Sequence, residues 1–362
     1  MLFRSFSIGL QREIFRDLVV EASYVGNTGV WWPSAVQVNY NAIPFGTLQA
    51  AGININNVTD AALLRGAMSS AAVVARGFKI PFSGFPTSAT LAQALRPYPQ
   101  FSSGLAAIAS PLGNTWYNSL QSKVTKRFSH GIDATYSFTY QKAMTSNNVN
   151  DVFNRQNGRG LSTEDQKLQS VISLTYTVPK ISGLHGVLRY ALYDWQIGTI
   201  LTYSSGFPIP APAAQNNLAT AVFQSTNAIR VPGVPLFLQD LNSGNVDPRR
   251  GFYLNPAAWT DPAQGQFGGP TAYGDYRFQR KPSEAMNFGR NFRIGEHVTA
   301  QARVEFTNIF NRIRPNNPAS TNALAPQTLA ASNAAVATGF GSISWQGAAG
   351  TRQGQMVFRL TF

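Results

Sequence analysis

The sequence predicts an all-β chain: an antiparallel meander of about nine strands of the kind that makes a transmembrane barrel, here part of one, with long loops at one end. Three observations predict it. Charged residues are only 12% of the 362, about half the share of an average soluble domain, so the chain lacks the usual means of covering a water-facing surface. No uninterrupted apolar run exceeds about half a dozen residues, far short of the roughly 20 a spanning helix needs. Segments of about ten residues instead alternate apolar and polar side chains, the period of a strand with two unlike faces. With hydrophobic residues at 44% and aromatics at 12%, compositional disorder is excluded.

In chain order, weaker alternation predicts strands at 3–12, 16–25 and 117–128. Between 131 and 142, Ile132, Ala134, Tyr136, Phe138 and Tyr140 alternate with Asp133, Thr135, Ser137, Thr139 and Gln141. From 168 to 178, Leu168, Ile172, Leu174, Tyr176 and Val178 oppose Gln169, Ser173, Thr175 and Thr177. The 195–203 strand presents Trp195, Ile197, Leu201 and Tyr203, and a weaker strand follows at 285–294. From 298 to 306, Val298, Ala300, Ala302, Val304 and Phe306 alternate with Thr299, Gln301, Arg303 and Glu305. The last strand sets Met356, Phe358, Leu360 and Phe362 against Gln355, Arg359 and Thr361.

The connections give the strands their setting. Glu13-Ile14-Phe15, Ser129-His130-Gly131 and Gly295-Glu296-His297 read as tight turns, and 179–191 as a modest one. They alternate with long segments, 26–116, 143–167, 205–284 and 311–352. Loops of that length are uncommon in compact soluble domains. Short turns at one end and long loops at the other describe a barrel of the outer membrane of a Gram-negative bacterium, the short turns being periplasmic. Tyr24, Trp31, Trp32, Trp116, Tyr117 and Tyr203 then supply interfacial aromatic girdles. The apolar faces (Ile132, Tyr136, Phe138, Leu174, Tyr176, Val304, Phe306) are expected to meet lipid. Asp133, Thr175, Arg303, Glu305 and Arg359 are expected to face the lumen. Such barrels enter and leave on the periplasmic side with an even strand count. Nine strands beginning on a descending one therefore read as the C-terminal portion of a larger barrel. Met1 then marks a truncation or mid-gene start, since Met1-Leu2-Phe3-Arg4-Ser5-Phe6 already alternates and shows no signal peptide.

The expected chemistry is sparse. Zero cysteines exclude thiolate metal sites and disulfides. His130 and His297 fall in turns and His185 in a connection, where solvated turn residues are the better reading. Neither zinc-protease, nucleophile-elbow, dinucleotide nor phosphate-loop motifs occur. Asn147-Asn148-Val149-Asn150-Asp151 lacks the spacing and glycine of a calcium loop, and the sequon Asn57-Val58-Thr59 reads as chance. No catalytic, cofactor-binding or metal-ligating residue is assigned, and no enzyme is expected. The net charge of +13 would attract lipopolysaccharide, acidic solutes or nucleic acid. The basic residues are dispersed, however, and Lys123, Arg127, Arg293, Arg303 and Arg359 fall on polar strand faces. A polar lumen with a positive field is the expectation, with no nucleic-acid partner. Lys126 reads as the one cation on an apolar face, placed to snorkel at the periplasmic end. Met356, Phe358, Leu360 and Phe362 form an alternating aromatic terminus, read as an assembly signal for the barrel-assembly machinery.

Five stretches in order carry a family resemblance. Tyr117-Asn118-Ser119-Leu120-Gln121 with Lys126-Arg127-Phe128-Ser129-His130-Gly131 resembles a "YNALQ … KRFSxGL" hairpin. Trp195-Gln196-Ile197 with Leu201-Thr202-Tyr203-Ser204-Ser205-Gly206-Phe207-Pro208 is similar to "GWQLSGILTYQSGFPF", and Asn255-Pro256-Ala257-Ala258-Trp259 to "NPAAF". The stretch 303–312 resembles "RAEFFNLFNH", and 352–362 resembles "RQIQLALRLTF". Together they resemble Oar-like TonB-dependent receptors, outer-membrane barrels with a carboxypeptidase-regulatory-like domain in front. Glu164-Asp165-Gln166-Lys167-Leu168 departs from that family's Asp-x-x-His-Arg. The resemblance implies uptake of a bulky solute, caught by aromatic and amide residues of 26–116 and 205–284. It also implies coupling to the TonB system through a plug and N-terminal part that these residues do not include. The remaining expected contacts are outer-membrane lipid and lipopolysaccharide. A structural or adhesive surface barrel is the alternative, and a soluble β-rich binding protein the third.

Overall fold

The computed structural model describes residues 1–33, 39–105, 110–146, 154–179, 186, 192–214, 221, 226–243, 247, 249, 251–263, 266–294, 298–313, 315–329, 337–344 and 350–362. Nine long strands carry the architecture. They are β1 (Leu2–Phe15), β2 (Leu18–Trp32), β3 (Gly113–Ser129), β4 (Ile132–Thr145) and β5 (Leu168–Thr177), followed by β6 (Trp195–Ser204), β7 (Ser283–Ile294), β8 (Val298–Thr307) and β9 (Gln353–Thr361). Each pairs antiparallel with its sequence neighbours, a pure meander in which, among the described residues, β1 pairs only with β2 and β9 only with β8. All nine predicted strands are present, and a two-residue strand, Gly160–Leu161, adds to the long-loop end of β4.

The register turns nine separate alternations into two continuous faces. Leu10 lies opposite Ala22, Tyr24 opposite Leu120, Val124 opposite Tyr136, and Ile172 opposite both Tyr136 and Leu201. Ile197 pairs with Phe288, Phe288 with Val304, and Val304 with Met356. Because directly paired residues share a face, these side chains form one apolar surface across the whole sheet. A slip of one residue in any pairing would break it.

Several expectations are corrected. The first turn is Arg16 and Asp17, not Glu13-Ile14-Phe15. A bulge between Glu13 and Phe15 shifts the alternation by one, so the pattern fades before the strand ends. The second turn is as expected, with His130 and Gly131 at φ 54° and 82°, the two positive values a type I′ hairpin needs. Gly295-Glu296-His297, most of 179–191 with His185, and the run 147–151 lie outside the described residues. The 26–116 loop is shorter than expected because β2 continues to Trp32 and β3 begins at Gly113. Polar and small residues such as Gly26, which lies under the Phe6 ring, hide the alternation there. Tyr24 consequently sits mid-strand opposite Ile8, its hydroxyl donating to Asn118 Oδ1 at 2.8 Å, and does not belong to a girdle.

The long connections fold. Residues 39–105 carry α1 (Phe45–Ala50), α2 (Val58–Arg65), α3 (Ala71–Ala75) and α4 (Leu91–Ala94) around a core of Ile43, Leu48, Leu64, Val73 and Leu91. Asn57 caps α2, its side chain accepting from the Thr59 and Asp60 N–H groups, so the residue read as a chance sequon has a structural task. A second core unites Ile209, Leu236, Leu254, Trp259, Tyr276 and Phe340 from the two C-terminal loops. Ile43 N–H donates to Ala221 O at 3.0 Å, and Phe45 stacks edge-on against Phe267 at 6.2 Å, joining the two loop regions.

Candidate functional site

The five motif stretches lie partly in the sheet, partly at its joints with the loops, and in one case within the loop core. In the first, Tyr117 OH donates to Gln141 Oε1 at 2.7 Å across β3 and β4. In the second, Ser205 Oγ accepts from Leu168 N–H at 3.1 Å. A Cβ on Gly206 would come within 1.8 Å of Phe278 O, so only glycine permits that approach. Asn255 accepts from Ala257 N–H at 3.0 Å and donates to Pro235 O at 2.8 Å, seating Trp259 in the loop core. Asn308 and Asn311 adopt φ 48° and 50°, a left-handed conformation that asparagine tolerates best after glycine. Their amides then bind Arg312, Gly350 and Arg352 backbone groups, bringing the chain back toward β9.

Two buried carboxylates brace these joints. Asp165, 1% exposed, accepts from Ala143 N–H at 2.6 Å and pairs with Arg277 at 2.5 Å. Arg277 also donates to the carbonyls of Asp165 and Gly206, so one guanidinium ties three segments together. The residues that depart from the Asp-x-x-His-Arg pattern thus hold a structural ion pair. Glu284, fully buried, accepts from Arg312 Nε at 3.0 Å on both oxygens.

Above the β6 and β7 ends these joints leave an open cavity of about 540 Å³. Its apolar wall includes Phe237, Leu241 and Phe278, and its polar groups include Gln239, Asp240, Asn242 and Arg280. Asn242 Oδ1 accepts from Arg280 N–H at 2.9 Å and Nε at 3.3 Å, while Asp240 Oδ1 accepts from Asn242 N–H at 2.8 Å. A guanidinium and a carboxylate therefore line the same cavity as two phenyl rings, a mixture that suits an amphipathic solute. The aromatic and amide residues expected of 205–284 line it, whereas none from 26–116 does. Asp240 and Arg280 escaped sequence reading because only the fold brings them together.

The strand residues singled out from sequence lie as follows. Asp133 and Thr175 are direct cross-strand partners. Arg303 and Glu305 form an ion pair at 2.6 Å, and Gln355 donates to Glu305 from the next strand. Arg359 pairs in register with Gln301. All five share the polar face, but β6 and β7 separate the first pair from the rest. Met356, Phe358 and Leu360 lie on the opposite, apolar face beside Val304, Ala302 and Ala300, and Phe362 follows beyond the strand, 92% exposed. On the polar face Glu13, Glu21, Asp133 and Glu305 accompany Lys123, Arg127, Arg293, Arg303 and Arg359. The positive field expected there is therefore weak, five basic groups facing four acidic ones. Lys126 is not alone on the apolar face either, since the register places Arg4, Arg12, Lys142 and Arg290 there. Lys126 Nζ reaches toward the turn, contacting Ser129 Oγ, Arg127 O at 3.1 Å and Asp17 at 3.8 Å. Arg290 lies over Trp195 and Phe292 at 5.7 and 4.9 Å. Among the described residues no group of three metal-ligating side chains occurs.

A meandering antiparallel sheet with one apolar and one polar face, short turns at one end and folded loops at the other, defines the class of outer-membrane β-barrels. The chain belongs to the outer membrane beta barrel domain family, whose model matches residues 2–355, and it is an outer-membrane protein. The soluble β-rich reading is set aside accordingly. No curated protein matches the chain. Among solved structures, the outer membrane transporter YddB from Escherichia coli is similar at 9% identity with a TM-score of 0.35, the match covering 99% of this chain and 32% of that one. The chain thus spans about a third of that transporter's length.

Proposed function

We propose that this chain is a segment of the barrel, its C-terminal portion, of a TonB-dependent receptor, Oar-like in kind, that takes up a bulky solute across the outer membrane. The observation that carries the reading is the folding of the long loops into cored modules that leave an open, mixed-polarity cavity of about 540 Å³ beside the sheet's long-loop end. A barrel serving only as a passive pore has no need of such modules. In this reading the apolar face meets lipid and the polar face lines the lumen. Solute meets Phe237, Phe278, Asp240 and Arg280 first, and the energised step belongs to the plug and TonB system of the whole receptor. The aromatic terminus ending in Phe362 serves the assembly machinery.

The test compares cells with and without the gene, offered labelled siderophores, oligosaccharides, oligopeptides and cobalamin, with and without a protonophore. Accumulation of one solute class that needs both the gene and the proton gradient is expected. Identical, protonophore-insensitive entry in both strains would overturn the reading. A strain that loses only surface attachment would favour an adhesive barrel.

A further inference from the structure

The top of the apolar face over β3 to β5 carries three cations that hold no carboxylate among the described residues. Arg159 lies over the Trp116 ring at 4.5 Å, and Lys167 Nζ lies 5.9 Å from the Tyr140 ring. Lys142 stands on the same face, paired in register with Asn118 and one residue pair above Tyr140 and Leu120. All three are exposed. Elsewhere Arg76, Arg230, Arg277, Arg303 and Arg312 each hold a carboxylate, yet among the described residues no ion pair involves Lys142, Arg159 or Lys167. Of the described carboxylates nearby, Asp165 is turned inward to Arg277, and Glu164 is exposed with no ion pair among the described residues.

Height decides what these charges meet. Lys142 is ten residues along β4 from Ile132 at the turn end. At about 3.3 Å per residue and a tilt of about 40°, that is about 25 Å vertically, the height of the apolar band of an outer-membrane barrel. The cations therefore stand at the level of the outer-leaflet headgroups, with Leu120 and Phe138 on the same face just below to receive acyl chains. Rings beneath a cation hold it at the surface while leaving its donors free for an anion.

We propose that Lys142, Arg159 and Lys167, seated around Trp116 and Tyr140, form a binding site for the phosphate groups of lipid A in the outer leaflet. The proposal rests on the reading that the apolar face meets lipid. The full chain in detergent micelles, analysed by native mass spectrometry, tests it with diphosphoryl lipid A, dephosphorylated lipid A and inorganic phosphate as probes. Diphosphoryl lipid A is expected to be retained about tenfold better than the dephosphorylated form, and K142Q/R159Q/K167Q to lose about that factor. Lys123→Gln, on the opposite face, is expected to change nothing. Heat-modifiable gel mobility checks that each variant is folded; should the triple variant fail it, Lys142→Gln alone is expected to lose about threefold. Equal retention by wild type and folded variant, or equal retention of both lipids, would overturn the site. Displacement of lipid A by millimolar inorganic phosphate would point to a soluble anion and overturn the lipid assignment. Lipid-phase labelling of a cysteine at position 303 in preference to one at 304 would instead overturn the orientation on which the site rests, whatever the lipid result.

Discussion

Asp165 and Glu305 show how much a carboxylate's surroundings matter. Asp165 is 1% exposed and its partner Arg277 14%, whereas Arg303 and Glu305 are 36% and 29% exposed. Removing one member of a buried pair leaves the other charge uncompensated, at about 3–5 kcal/mol, while an exposed pair is worth about 0–1 kcal/mol. Asp165→Ala is therefore expected to speed hydrogen exchange at the Ala143 amide and through Ala272–Arg277 by orders of magnitude. Glu305→Gln should leave its strand's exchange almost unchanged. Equal protection in the two variants would show that the Asp165 bridge does not hold the loops to the sheet.

At the scale of elements, one turn and one loop core make opposite demands. Gly131 has φ 82°, and a Cβ there would lie 2.2 Å from Thr177 O. Gly131→Ala should thus reduce the yield of assembled, heat-modifiable protein several-fold. His130→Asn, which suits a positive φ, should not, and an equal defect in both would show that the imidazole itself matters. In the loop core, burial raises the pKa of Tyr276, and also those of Tyr253 and Tyr273. An unfolded tyrosine ionises near pH 10. Above that pH the unfolded loops release a proton that folded Tyr276 keeps, so loop stability falls as pH rises, by up to about 1.4 kcal/mol per pH unit for each such tyrosine, and is flat below. Loop melting followed by tryptophan fluorescence between pH 8 and 12 should show this slope, and Tyr276→Phe should reduce it. A slope beginning below pH 9 would assign it to another group.

For the whole molecule, the two faces and the free edges of β1 and β9 matter most. Exposed backbone groups on a strand edge are costly in hydrocarbon, where no water satisfies them, so each edge needs a partner strand in the membrane. Orientation is tested by cysteine scanning: position 304 should label from the lipid phase and position 303 from the aqueous lumen, and the reverse would invert every facing assignment at once. Phe362 is a separate matter. Its side chain is worth about 1.5–3 kcal/mol even if fully buried, little for a large barrel. In the intact protein its deletion should nevertheless lower the amount of assembled barrel far more than Val357→Ala. Equal assembly of the two would leave Phe362 as ordinary surface.

Period two needs no tertiary information, because alternate side chains of a strand face opposite ways whatever surrounds it. The sequence by itself therefore determined the nine strands, their unlike faces and the contrast between short turns and long connections. It failed where alternation was locally broken, at the Glu13 bulge and along Gly26 to Trp32, where the covering ring comes from Phe6 on another strand. Only the tertiary structure decided that the long segments fold around their own cores, and that Asp165 meets Arg277 across more than a hundred residues. It alone set Asp240 and Arg280 in the lining of one cavity and left Lys142, Arg159 and Lys167 without an ion pair among the described residues. The physical reason is range: backbone alternation is local, whereas a cavity, an ion pair or a charged rim depends on contacts between distant segments that no spacing in the chain encodes.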